Sequence, residues 1–316
     1  MARVPADGER RDPYSPTLLE GDRILVTGGG SGLGKAIAGA LVAHGAEVVL
    51  WGRRRAVLDA AASEIAMLGD PSRIVVDSVD VRDAEAVDAA VDRMHAGGRP
   101  LTGLVNGAAA NFIAPTESLS ARAFAAVTST VINGSFHVTH AVGRRWIREG
   151  LPGAVVSLLT TWVETGSAYV VPSAMSKAAV NAMTMSLAVE WAHYGIRLNA
   201  VAPGPVPTEF AWDVLDPGDS SVIGATDVRG VPAGRFGRPD EVANLVMFLL
   251  SDACDYLTGE TIAMDGGQRL AGPSTFSDLT HLTADDWAAI RARGKAAAAA
   301  TKAQQAEGAG AGADQR

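Results

Sequence analysis

Two rhythms of apolar and polar residues run along this chain. Short, nearly solid apolar runs (RILVT, AEVVLW, RIVV, LTGLV, GAVVSLL, IRLNAVA, ETIAM) are spaced by longer stretches in which apolar residues recur at three- and four-residue intervals. Solid runs read as strands buried on both faces, and the longer stretches read as helices with one apolar face. The spacing predicts helices over GLGKAIAGALVAHG (closed by Gly45), RRAVLDAAASEIAMLG and DAEAVDAAVDRMHAG, a long helix from about Ala121, a helix Ser173–Tyr194, and a last one after Pro239. Strand and helix in alternation imply βαβ units, and so an α/β, Rossmann-like, doubly wound parallel sheet of about seven strands in a single domain with a C-terminal helical tail. The expected boundaries are an arm-like, disordered stretch over 1–18, the sheet domain over 19–270, a tail with a helix over 271–298, and disorder over 299–316. In the tail, Thr283 with Asp286 three residues later forms a helix-start signal, followed by Trp287 and Ile290 on one face.

Composition narrows the classes. Of 316 residues 47% are hydrophobic and 35 are glycine, which suits a layered fold with tight strand-to-helix turns. The net charge of −8 argues against a nucleic-acid partner. Cys254 is the only cysteine, so neither a disulfide nor a cysteine metal site is expected, and it reads as a small buried hydrophobe. No apolar run is long enough to span a membrane, and the N-terminus carries no apolar signal core. No metal is expected, and the compartment that follows from these features is the cytoplasm.

Chemistry enters at 27-TGGGSGLG-34, which closes a strand and opens a helix. Gly28, Gly32 and Gly34 let backbone approach a pyrophosphate at the helix N-terminus, with Ser31 and Leu33 between them as further cofactor contacts. After the second strand comes Gly52 and then Arg53, Arg54 and Arg55, where an NAD site would place a carboxylate on the ribose. Guanidinium groups here favour a 2′-phosphate, hence NADPH/NADP, with Arg53 the first candidate and Arg54 the second. Asp80 and Val81 end the third strand at the adenine rim, and Asn106 ends the fourth beside the adenosine ribose. Pro203, Gly204 and Val206 form the cofactor-facing loop after the sixth strand. Beyond the strand ends lie Asn133, Thr160, Thr161, Ser173 and Lys177. The last two are four residues apart and share a helix face, where Lys177 can hold the nicotinamide ribose and supply positive potential.

The glycine loop, the asparagine after strand four and the lysine on the fifth helix resemble the short-chain dehydrogenase/reductase family. That resemblance implies a site of Asn133, Thr160 at the family's serine place, Ser173 at its tyrosine place and Lys177. A serine is a much poorer acid than a phenol, which speaks against ordinary ketone reduction. From about residue 18 to about 295 the chain is similar to the family's 2,4-dienoyl-CoA reductase branch, the mitochondrial type above all. The motifs are AANFIAPTESLS, VINGSF, ETGSAYVVPSAMSK, PGPVPTE, GRFGRPDEVANL and FSDLTHLTADDW. The branch implies NADPH, an acyl-CoA thioester substrate, a role in fatty acid β-oxidation and a homotetramer packed through its fourth and fifth helices. It also implies hydride delivery to Cδ of a 2,4-dienoyl-CoA, protonation at Cα, and an active-site tyrosine in the stretch that here reads TTWVETG. Trp162 stands at that place, with Thr161 and Phe112 beside it in the substrate pocket, and an indole N–H does not release its proton. Three resolutions are open: Tyr169 donates, a water held by Asn133 or Ser173 donates, or the substrate differs. The alternatives are an NADPH-dependent reductase of another unsaturated or carbonyl substrate, and a nucleotide-binding scaffold with weak or lost catalysis. Arg235 and Arg238 are candidates for the CoA phosphates.

Overall fold

The computed structural model describes residues 12–208 and 228–272, with a further short helical segment at 283–286, 288–289 and 292. Seven strands form one parallel sheet: β1 Arg23–Thr27, β2 Glu47–Gly52, β3 Ile74–Ser78, β4 Gly103–Asn106, β5 Gly153–Leu158, β6 Ile196–Pro203 and β7 Thr261–Met264. Their order is β3-β2-β1-β4-β5-β6-β7, so the winding reverses between β1 and β4 and opens a crevice at their carboxyl ends.

Alternate strand residues feed opposite layers. Ile24, Val26, Val48 and Leu50 join α1 (Gly32–Ala43), α2 (Arg55–Ile65) and the late helix Pro239–Leu250 in one apolar core. Leu25, Val49, Trp51 and Leu104 join α3 (Ala84–Ala96), α5 (Gly134–Glu149) and the end of α7 (Val171–Trp191) in the other. Two glycines are there for close approach: a Cβ at Gly143 would lie 2.3 Å from the Trp191 ring, and one at Gly153 would lie 2.6 Å from that of Trp146. Cys254 is a buried free thiol bonded to the Phe248 carbonyl, in keeping with its reading as a core residue.

Four expectations change. The long helix from Ala121 is not continuous: α4 (Ala121–Thr128) gives way to a π-turn over Ser129–Asn133 before α5 starts. Three consecutive hydroxyls account for it, since Thr128, Ser129 and Thr130 bond back to the carbonyls of Phe124, Ala125 and Ala126 and compete with the regular ladder. The helix expected over Ser173–Tyr194 runs from Val171 to Trp191, with Pro172 in its first turn, and ends in a 3₁₀ turn. The arm is tied to the fold from residue 12 onward: Asp12 pairs with the buried His44, and the Tyr14 hydroxyl donates to the Asn244 carbonyl. Residues 1–11 lie outside the described part. Finally, Arg235 is paired with Glu241, and Arg238 with Asp240 and Glu241, where they brace the start of the helix Pro239–Leu250. These guanidinium groups are thereby engaged within the fold instead of being presented to CoA phosphates.

The chain divides into two compact units, 1–269 and 270–316. In the second, Thr283 and Asp286 make the reciprocal capping contacts that the sequence suggests, while Trp287 and Ile290 lie outside the described residues.

Candidate active site

The crevice has a nucleotide half built mainly by backbone. β1 ends at Thr27, whose hydroxyl accepts from the N–H groups of Gly107 and Ala108 and so locks the turn after β1 to the one after β4. Gly28 has φ 71° and Gly32 φ 54°, conformations that favour glycine. A Cβ at Gly34 would lie 2.3 Å from the Gly28 carbonyl, so the loop can curl against the start of α1 only without a side chain there. The resulting cleft is lined by Gly28, Ser31, Arg53, Arg54, Asp80 and Val81 among others. Leu33 is half-buried and packs towards the core beneath it.

Of the three arginines after β2, Arg55 pairs with Asp59 one helical turn on. Arg53 and Arg54 have no ion-pair or hydrogen-bond partner for their guanidinium groups among the described residues, and both line the cleft. No carboxylate follows β2 to repel a phosphate. Asp80 lies further along the rim, where the Arg82 guanidinium bonded to it holds its carboxyl below the usual range. Cradle, open guanidinium groups and neutralised acid fit NADP(H). Asn106 differs from expectation: it is buried, and its amide nitrogen donates to Thr139 and Ser157, so it ties β4 to α5 and β5 while Ala108 and Ala109 line the cleft.

The second half of the crevice lies past β5 and β6. Lys177 is only 7% exposed, on a helix whose neighbours are largely apolar, and its ammonium donates to the Leu158 carbonyl at the end of β5. Burial pushes its pKa down to about 8. Ser173, one turn earlier, is 3% exposed, so no phenol stands in the place a carbonyl-reducing relative would use. Thr160 lies two residues past the end of β5, and its hydroxyl oxygen is buried without a partner. Thr161 is buried, and Trp162 opens a single helical turn, α6 (Trp162–Thr165), held by an ion pair from Glu164 to Arg269. Asn133 sits at the exit of the π-turn with its residue surface open. Phe112 and Val163 pack against the small apolar cluster of Val127, Val131, Leu159 and Val180 that floors this half. Tyr169 is exposed, and its carbonyl accepts the N–H of Ala114, two residues after Phe112. Pro203, Gly204 and Val206 leave β6 here, with Gly204 held against Met264 by its N–H; Glu209 and Phe210 lie outside the described residues.

Sequence reasoning missed the π-turn and the Glu164–Arg269 tie. The hydroxyl run 128-TST-130 was the available signal for the first. Nothing local signals the second, whose partners are 105 residues apart.

The site agrees with what the chain resembles. Residues 28–269 match the family described as Enoyl-(Acyl carrier protein) reductase. A probable 2,4-dienoyl-CoA reductase, (3E)-enoyl-CoA-producing, of Caenorhabditis elegans is 41% identical over 81% of this chain and 84% of its own. A probable 2,4-dienoyl-CoA reductase, (2E)-enoyl-CoA-producing, of Bacillus subtilis is 39% identical over 80% of this chain and 98% of its own. Among solved structures, a short chain dehydrogenase from Bacillus anthracis superposes with a TM-score of 0.71 at 36% identity, over 79% of this chain and 97% of its own. A putative 2-deoxy-D-gluconate 3-dehydrogenase from Agrobacterium tumefaciens, solved with bound NADP, gives 0.72 at 32% identity, over 81% and 99%.

The comparisons correct the expectation of a cytoplasmic protein. Relatives from Danio rerio, Pongo abelii, Arabidopsis thaliana and Rattus norvegicus, 33–35% identical, are peroxisomal 2,4-dienoyl-CoA reductases by name. The same fold is thus used outside the cytoplasm, and composition and charge do not encode the compartment. Among the described residues no helix is long and apolar enough to cross a membrane. By its sequence match, its sheet order and its nucleotide cleft, the chain belongs to the short-chain dehydrogenase/reductase family as an NADP(H)-binding oxidoreductase.

Proposed function

We propose that this chain reduces 2,4-dienoyl-CoA thioesters with NADPH, yielding a 3-enoyl-CoA, as part of fatty acid β-oxidation. One observation carries the reading: a buried serine, Ser173, occupies the place where carbonyl reduction needs a phenol, while Lys177 is retained. A ketone's oxygen must take up a proton as hydride arrives. A conjugated thioester lets the charge run to its own oxygen and return to carbon, so donors at that oxygen suffice at the carbonyl end. The names of the relatives support the dienoyl-CoA substrate; the 3-enoyl product is that of the Caenorhabditis elegans relative, while the Bacillus subtilis relative is named for a (2E)-enoyl product.

NADPH in the cleft supplies the hydride. The chain's own residues then divide the work. Arg53 and Arg54 hold the 2′-phosphate, and the turn at Gly28–Gly34, with Ser31, holds the pyrophosphate at the α1 N-terminus. Lys177 binds the nicotinamide ribose and contributes positive potential. The hydroxyls of Thr160 and Ser173 and the amide of Asn133 are the donors to the thioester oxygen as charge develops there. The unpartnered Thr160 oxygen is suited to this, because a bound ligand would give it the hydrogen bond it lacks. Trp162, Thr161 and Phe112 shape the acyl pocket. Along α7 the residues Met175, Met185 and Val189 present an exposed apolar stripe, which supports a homo-oligomer, a tetramer, packed through this helix.

The test is the fate of label. With deuterium on the transferred position of NADPH, the reading expects deuterium at Cδ of trans-2,trans-4-hexadienoyl-CoA and a solvent-derived hydrogen at Cα. Deuterium at any other carbon, or no transfer, rules this reaction out. Turnover of a free ketone but not of the thioester would move the assignment to an NADPH-dependent carbonyl reductase.

A further inference from the structure

Among the described residues Tyr169 alone combines a side chain with positive φ, 63°. Left-handed backbone brings a Cβ against the carbonyl and is rarely adopted by a bulky residue, so this conformation is held in place by its surroundings. Its carbonyl accepts the Ala114 N–H at 2.9 Å, joining the loop after β5 to the loop after β4. Immediately after it, the Val170 carbonyl takes the N–H groups of Ser173 and Ala174 as α7 begins. The strain is not compensated by burial, since the residue remains 60% exposed. A strained residue that the core does not need, four residues before Ser173 and bonded through its carbonyl to the loop that carries Phe112, points to a function.

We infer that Tyr169 is the proton donor to carbon in the reaction proposed above, on which this inference rests. The reaction needs an acid over Cα. Lys177 is acidic enough, but its ammonium is turned to the Leu158 carbonyl and is assigned to the ribose, and the other nearby groups fail chemically. Trp162 presents an indole, whose N–H donates hydrogen bonds without releasing the proton. Ser173 and Thr160 offer alcohols, much weaker acids than a phenol. Glu164 is engaged with Arg269. The remaining tyrosines are remote: Tyr14 sits against the helix Pro239–Leu250, and Tyr194 and Tyr256 precede β6 and β7, on the amino-end side of the sheet.

The step balances. Hydride from the dihydronicotinamide forms the C–H bond at Cδ, and the π electrons move to give the dienolate. The Tyr169 O–H bond breaks as the Cα–H bond forms, leaving the 3-enoyl thioester and a phenolate. Exposure to solvent allows the phenolate to take up a proton from water before the next turnover.

Tyr169→Phe and Tyr169→Gly test the assignment beside the wild-type full chain, with trans-2,trans-4-hexadienoyl-CoA as substrate. Tyr169→Phe should lower kcat about 100-fold, with KM and the NADPH Kd, read by fluorescence, within about twofold of wild type. Tyr169→Gly should be equally slow, yet it should raise the melting temperature of the ligand-free protein by about 2 °C by relieving the backbone. That pairing of lost rate with gained stability is not expected of a packing residue. Tyr169→Phe with kcat within twofold of wild type overturns the inference and leaves the donation to a water. A melting temperature lowered by Tyr169→Gly also overturns it, by making the residue a structural one. Wild-type protein that binds NADPH but reduces no dienoyl thioester overturns the proposed function itself, and the inference with it.

Discussion

The two halves of the crevice are made in different ways. The nucleotide half is a matter of backbone: two glycines with positive φ, a third with no room for a Cβ, and a threonine that clips two turns together. The chemical half is made of side chains under stress, namely a buried lysine, an orphaned hydroxyl and a tyrosine on left-handed backbone. The first half can serve any NADP(H) enzyme of this fold. In the proposed function the second holds the specificity, with Ser173 and Trp162 at the places where the resemblance implies tyrosines.

The largest effect should come from the buried lysine of the site. Lys177→Met should lower kcat/KM roughly 1,000-fold by removing positive potential from the site, measured as initial rates of NADPH oxidation. The same lysine should govern how the ligand-free protein responds to pH. The folded chain gives up this proton at about 8 and the unfolded chain at the ordinary value of 10.5, so the unfolded state holds more protons in between. The penalty of burying the ammonium is therefore full below about pH 8, and stability rises with pH up to about 10.5. The contribution of this group across that window is roughly 3 kcal/mol, and urea titrations of wild type and Lys177→Met should show that the variant lacks that rise. Wild-type kcat/KM should move the opposite way, falling as pH rises past about 8 and the charge is lost.

In the nucleotide half the effect should be smaller and selective. Arg53→Ala should weaken NADPH binding about 30-fold, the loss of a charge-assisted contact, while leaving NADH binding nearly unchanged. Arg54→Ala should do the same to a lesser degree. Equal losses for the two cofactors would mean that these arginines do not read the 2′-phosphate. Smallest of all, Thr160→Val should raise the stability of the ligand-free protein by about 1 kcal/mol, because it removes a buried hydroxyl without a partner, yet lower kcat about tenfold. A variant that is both less stable and fully active would show that this hydroxyl has an internal role.

Much of this was legible in the residues, and the parts that were not have physical reasons. Solid apolar runs gave all seven strands because the inner five are largely buried on both faces and the edge strands β3 and β7 keep the same apolar character although only partly covered, and TGGGSGLG gave the phosphate turn because only glycine fits there. Periodicity carries the helix pattern through 121–149 without registering three hydroxyls that turn back on the backbone at 128–130. The fates of Arg235 and Arg238 depended on acids two to six residues ahead, and that of Asn106 on hydroxyls 33 and 51 residues away. The sign of φ at Tyr169 has no sequence marker, since a tyrosine there reads like any other loop aromatic.

The most direct test of the account is the ratio of kcat/KM for trans-2,trans-4-hexadienoyl-CoA to that for a 3-ketoacyl-CoA of equal length, measured with NADPH under one set of conditions. A buried serine in the phenol's place predicts a ratio above about 100, a difference of transition-state stabilisation near 3 kcal/mol. A ratio at or below one would contradict the account, because the site would then be protonating a carbonyl oxygen without the residue that chemistry requires.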